Sequence, residues 1–230
     1  MRDNLSTMVE IKNILMSDIV LIVAMSLTLS GGLFGNGSPG GILGSFLYFL
    51  PIAALAVSLS FILHELMHKF VAQHYGAIAG FRSSMSGLLI TLATGASGFL
   101  LGIPGATVIF AHSFNKKQYG IVSLAGPLTN FAVFGVFLAM LTIINPPQSS
   151  YLFAVLYITL FISIILAFFN MLPVFPLDGS KVLAWDKRIY LGTMAAIFLL
   201  MLFFTPIPLT TIIFMIIIAV FFSLFYKNLI

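Results

Sequence analysis

The chain contains no cysteine, a single tryptophan and only four histidines, and charged residues make up just 7% of its 230 positions. The missing cysteine excludes disulfides and thiolate metal sites, although it does not reveal the compartment. The scarcity of charge excludes an ordinary soluble domain, in which about 25% of residues are charged. With 60% hydrophobic residues and a mean hydropathy of +1.16, the sequence reads as a multi-pass membrane protein. A net charge of +4 is modest, and the basic residues act as topology signals rather than as a nucleic-acid surface. Asp3 and Glu10 spoil the basic lead-in of a cleaved signal peptide.

What is present is a series of apolar runs near the ~20 residues needed to cross a bilayer. The expected fold is an all-α multi-pass membrane protein with about six transmembrane helices, forming one integral-membrane domain over residues 1–230. The spans are expected at 14–34, 46–70, 119–144, 151–169, 189–204 and 210–226. Val9–Leu15 reads alternatively as a short interfacial strand. Between spans two and three, Gln73–Phe114 is apolar but broken by Gly76, Gly80, Gly87, Gly95 and Pro104 among others. Such a stretch is expected to be re-entrant or β-like, which lipid tolerates only where protein covers it or it lines a wet cavity.

With six spans, all ten lysines and arginines fall on one side of the membrane, and the positive-inside rule makes both termini cytoplasmic. Tyr75, Tyr119, Trp185, Tyr190 and Tyr226 gather at the same boundary, as an aromatic belt does.

At the end of the second run stand His64-Glu65-Leu66-Met67-His68. Two histidines one helical turn apart face the same way and can reach one metal ion. Glu65 lies roughly 100° around the helix, too offset to be the obvious third ligand but close enough to hold an attacking water. A catalytic zinc takes three protein ligands. Among the six acidic residues, Glu65 and Asp178 are read as the two embedded in apolar surroundings near span ends on the same side, which makes Asp178 the candidate third ligand. His74 and His112 are rivals on chemistry alone and read as interface histidines.

Two separated motifs carry a family resemblance. His64-Glu65-Leu66-Met67-His68 resembles the zinc motif of the site-2 proteases, the intramembrane metalloproteases. Asn170-Met171-Leu172-Pro173 followed by Leu177-Asp178-Gly179 resembles that family's second motif, and Ala125-Gly126-Pro127-Leu128-Thr129-Asn130 the small-residue start of the span between them. The resemblance covers residues 46–185 and implies a three-span catalytic core in a minimal six-span form, flanked by spans at 14–34 and 189–226. It implies one zinc ion per chain on His64, His68 and Asp178, with Glu65 as general base and Asn170 stabilising the oxyanion or holding the substrate backbone. Asn170 has a plainer alternative role as the terminator of span four. The implied substrate is a transmembrane-helix protein in the lipid bilayer, cleaved near the cytoplasmic face of a prokaryotic cell membrane in regulated intramembrane proteolysis. Gly95–Phe110 reads either as an edge strand that receives the unwound substrate or as a packed re-entrant loop.

Other classes fit less of the chain. Gly95-Ala96-Ser97-Gly98 matches the motif of rhomboid serine proteases, but no histidine follows on a later span to serve as base. A metal-ion transporter would spread polar ligands along a path, and a non-catalytic scaffold would have lost part of the set.

Overall fold

A computed structural model describes residues 7–34, 41–111, 113–205 and 209–227. His112, and Pro206 and Pro208 of the last turn, lie outside the described residues. The fold is mostly helical, in the order α1 (Thr7–Leu29), α2 (Gly41–Val57), a π-helical turn (Ser58–Ile62), α3 (Leu63–His74), β1 (Ile78–Ser83), α4 (Met85–Ala96), β2 (Gly105–Phe110), α5 (Lys116–Ile144), α6 (Tyr151–Asn170), α7 (Asp178–Trp185), α8 (Lys187–Phe204) and α9 (Leu209–Lys227). Among the described residues, four helical stretches are long and apolar enough to cross a membrane: Gly41–His74, Lys116–Ile144, Tyr151–Asn170 and Lys187–Phe204.

Several expected boundaries move, each for a local reason. The helix carrying the histidines runs from Gly41 instead of Phe46 and passes through the π turn just before them, so Pro51 lies in its interior rather than in its first turns. α5 begins at Lys116 because Asn115 and Gln118 form a capping box: Asn115 Oδ1 accepts from the Gln118 N–H at 2.9 Å, and Gln118 Oε1 accepts from the Asn115 N–H at 2.9 Å. α8 begins at Lys187 because the Asp186 carboxylate accepts from the N–H groups of Arg188 and Ile189.

The fold is not purely helical. β1 and β2 form a two-stranded antiparallel sheet in which Phe81 lies opposite Thr107. The strand expected from Gly95 begins only at Gly105, since Met85–Ala96 is helical and ends at Ser97–Gly98. Glycine matters here for proximity: a Cβ on Gly95 would lie 2.7 Å from Ala24 Cβ, so α4 packs against α1 at backbone distance.

Val9–Leu15 is helix, not strand, and α1 starts further upstream than expected because its polar residues are consumed by tertiary contacts. Glu10 Oε2 accepts from Lys69 Nζ at 2.6 Å, and Glu10 Oε1 accepts from the Phe81 N–H at 3.2 Å. Asp18 Oδ2 accepts from Ser58 Oγ at 2.7 Å. Glu10 and Asp18 are both buried, so Glu65 and Asp178 are not the only acidic groups placed in apolar surroundings. One ion pair thus joins α1 to α3 beside the histidines, and the same carboxylate anchors β1.

The larger core lies on the other side of α3, where Phe134 of α5, Leu160 and Ile164 of α6, Val182 of α7 and Ile197 of α8 are almost completely buried. α5 is central, with α3, α6 and α7 packed against it.

Candidate metal centre

α3 presents His64 and His68 on its buried face. The chain leaves α6 at Asn170, turns through a segment holding Pro173 and Pro176, and starts α7 at Asp178, which brings that carboxylate back onto the two rings. Gly179 permits the return, since a Cβ there would lie 2.1 Å from the Met171 carbonyl oxygen. His64 Nε2 and His68 Nε2 are 3.0 Å apart, and Asp178 Oδ2 lies 3.4 Å from the first and 3.1 Å from the second. All three residues are buried.

This donor set fits zinc. Ligand atoms held ~2.0–2.2 Å from a tetrahedral zinc stand about 3.3–3.6 Å from one another, within a few tenths of an ångström of the three separations observed. Two imidazole nitrogens and one carboxylate oxygen are the chemistry of a catalytic site that keeps one position open. Against the burial that would neutralise it, the nearby Lys181 ammonium favours the ionised form of the Asp178 carboxyl, the form a metal ligand takes. Lys181 Nζ lies 3.6 Å from the other oxygen, Oδ1.

Helix α5 closes the site from the side. Gly126 faces both rings, and a Cβ built on it would lie 2.5 Å from His68 Nε2 and 2.6 Å from His64 Nε2. A methyl group there would fill the space between the donors, so the cradle exists only because this position is glycine. Val122 and Asn130, one turn to either side, touch the rings themselves: the Val122 carbonyl oxygen is 2.7 Å from His68 Nδ1, and the Asn130 amide is 3.1 Å from His64 Nδ1.

Glu65 is outside the donor cluster. Its Oε2 accepts from the backbone N–H of Thr107 at 2.9 Å and from Thr107 Oγ1 at 2.8 Å. The Thr107 N–H therefore points away from β1, and the outer edge of β2 runs beside Glu65. Asn170 ends α6 with its Nδ2 donating to the Leu166 carbonyl at 3.0 Å, the bond its plainer role requires. His74 lies at the end of α3 with its ring against Tyr75 and does not join the cluster.

Val122, Gly126, Asn130 and Thr107 were not singled out by the sequence as site residues. The segment Gly126–Asn130 does carry a usable signal, a glycine and an amide four residues apart, hence on one helix face. Thr107 carries none, because its contact with Glu65 depends on how the strand packs.

Comparison with known proteins agrees with the geometry. A family described as peptidase family M50 matches residues 142–186. A protein of Methanocaldococcus jannaschii, named as a zinc metalloprotease, is 38% identical over 154 residues, covering 64% of this chain and 75% of the relative. A Mycobacterium tuberculosis protein, also named as a zinc metalloprotease, is 28% identical over 188 residues, covering 69% of this chain and 68% of the relative. No solved structure matches.

Proposed function

The chain belongs to peptidase family M50, the zinc metalloproteases, and from that premise we propose that it hydrolyses a peptide bond within or near a transmembrane helix of a membrane-protein substrate. The observation that carries the reading is the convergence of His64, His68 and Asp178 at the buried end of an apolar helix, with Glu65 one position along. In this reading α1 and α9 complete six spans, the basic residues face the cytoplasm together with both termini, and the membrane is a prokaryotic cell membrane. The segment from β1 to β2 is re-entrant, and water reaches the site from the cytoplasmic side.

His64, His68 and Asp178 would hold one zinc ion, which would supply Lewis-acid chemistry when bound, lowering the pKa of a water toward about 7 and polarising the scissile carbonyl. Glu65 takes the proton from the attacking water and delivers it to the leaving amine. Thr107 fixes the carboxylate through Oε2, which aims the base before substrate arrives. Asn170 steadies the oxyanion or the substrate backbone with an amide hydrogen not spent on Leu166. A helical substrate has its carbonyls tied up internally and unwinds before it is cut. The outer edge of β2 receives the unwound segment by strand pairing.

The reading is tested in zinc-loaded proteoliposomes with a single-span reporter protein. Cleavage is expected, lost on chelation and restored by zinc. Zinc flux across the vesicle without cleavage would instead establish a transporter. The role of β2 has its own expected outcome: Thr107→Pro removes the N–H that holds Glu65 and interrupts the pairing edge, so cleavage falls by about 10²-fold or more while zinc stays bound. Cleavage at the wild-type rate in that variant would remove β2 from the mechanism.

A further inference from the structure

The two histidines are oriented by one helix, but only one of the two contacts is complete as placed. His68 Nδ1 donates to the Val122 carbonyl, which leaves Nε2 with its lone pair toward Asp178 and His64. Against His64 Nδ1, by contrast, stands the amide nitrogen Nδ2 of Asn130. An NH2 group donates, so this orientation makes His64 Nδ1 an acceptor and leaves the ring hydrogen on Nε2, where it faces the other donors. It also strands Asn130 Oδ1, which is fully buried and has no hydrogen-bond partner among the described residues. The oxygen and nitrogen of an amide are nearly identical in shape, and their assignment follows from the hydrogen bonds they make.

We propose that Asn130 is a positioning residue whose side-chain oxygen, with the amide turned by 180°, accepts from His64 Nδ1–H and fixes that ring with Nε2 facing the metal centre. The turned amide moves the ring hydrogen from His64 Nε2 to Nδ1, so that the Nε2 lone pairs of both rings face the metal centre, and it places the stranded oxygen on a hydrogen. It also makes the two rings equivalent, each donating from Nδ1 to an oxygen on α5. Val122, Gly126 and Asn130 then form a stripe along one face of α5, at successive turns, against His64 and His68 at successive turns of α3. The outer two residues of the stripe orient the rings, and the glycine between them leaves room for the ion. Such outer partners set ring orientation and raise ligand basicity.

The inference rests on the reading that these rings hold zinc, and the experiment separates the two. Zinc affinity is measured on purified protein in detergent by chelator competition, alongside the melting temperature of the metal-free form. Asn130→Ala is expected to weaken zinc binding about 10–100-fold, with little change in metal-free melting. Asn130→Asp, which keeps an acceptor oxygen in place, is expected to stay within about threefold of wild type. An alanine variant that binds zinc as tightly as wild type, or an aspartate variant as weak as alanine, overturns the proposal. If the alanine variant does not fold, nitrogen NMR of metal-free wild type labelled in histidine decides. Hydrogen on His64 Nδ1 is expected, and hydrogen on Nε2 overturns it. Wild-type protein that takes up no zinc would remove the zinc reading itself, and the NMR measurement would still test the Asn130 contact.

Discussion

Glu65→Gln is expected to lower cleavage of a single-span reporter by about 10²–10⁴-fold while the protein keeps one zinc per chain. The substitution preserves size and leaves an amide oxygen that can still accept from Thr107, so the contact with β2 and the fold survive. What it removes is the ability to take up a proton. Because Glu65 stands outside the His64, His68 and Asp178 donor cluster, metal content is the control that separates loss of the base from loss of the site. Cleavage rate and bound zinc are read on the same proteoliposomes. Undiminished cleavage would falsify the assignment of Glu65 as base, and loss of zinc would move Glu65 into the ligand set.

Gly126→Ala is expected to be nearly as damaging by the opposite route. The added methyl would lie 2.5–2.7 Å from ring atoms of both His64 and His68. Both rings are buried, and their Nδ1 atoms are held by α5 itself. The rings must turn or α5 must move outward, and either change pulls the nitrogens out of register with Asp178. Zinc affinity should fall by more than about 100-fold, beyond the usual loss for an outer-shell change. Alanine is otherwise the better helix former, so the variant's helices should persist. Chelator competition together with circular dichroism distinguishes this from unfolding. Tight zinc binding in the alanine variant would mean that α5 does not close the centre in the way described.

The pieces of the site that lie close together in sequence were legible from it. The spacing of His64 and His68 is a local helical fact, and Asp178, though distant, is singled out by its apolar surroundings near a span end on the same side as the histidines. The spans expected at 151–169 and 189–204 correspond to helices at 151–170 and 187–204, because long apolar runs between polar turns leave little choice. The misses share a physical cause. The polar, mixed-charge residues 1–13 put the expected start of the first span at Ile14, yet Glu10 is satisfied by Lys69 and by the Phe81 N–H, partners far along the chain. The helix α4 was hidden by glycines that serve close approach rather than breaking structure, Gly95 against α1 and Gly87 against the Ile103 backbone. Asn130 and Thr107 act on His64 and Glu65 through contacts that exist only once α3, α5 and β2 are assembled. The capping box at Asn115 and Gln118, by contrast, is a local signature and was available to place the start of α5 correctly.

The wide turn at Ser58–Ile62 bears on how α2 and α3 can serve two sets of neighbours at once. Upstream, Ser58 bonds Asp18 of α1 and Ser60 bonds Ser163 of α6 at 2.7 Å. Downstream, His64 and His68 answer to α5 and α7, and Glu65 to β2. In an uninterrupted α-helix each residue advances about 100°, so the azimuth of the downstream half would be dictated by the upstream half. One extra residue in a widened turn resets that angle without breaking the rod. The segment acts as a rotary coupling: the membrane-packing half and the metal-binding half are set independently in angle and held rigidly in length. Its residue count, more than its residue identities, is then what keeps the two histidines aimed at Asp178.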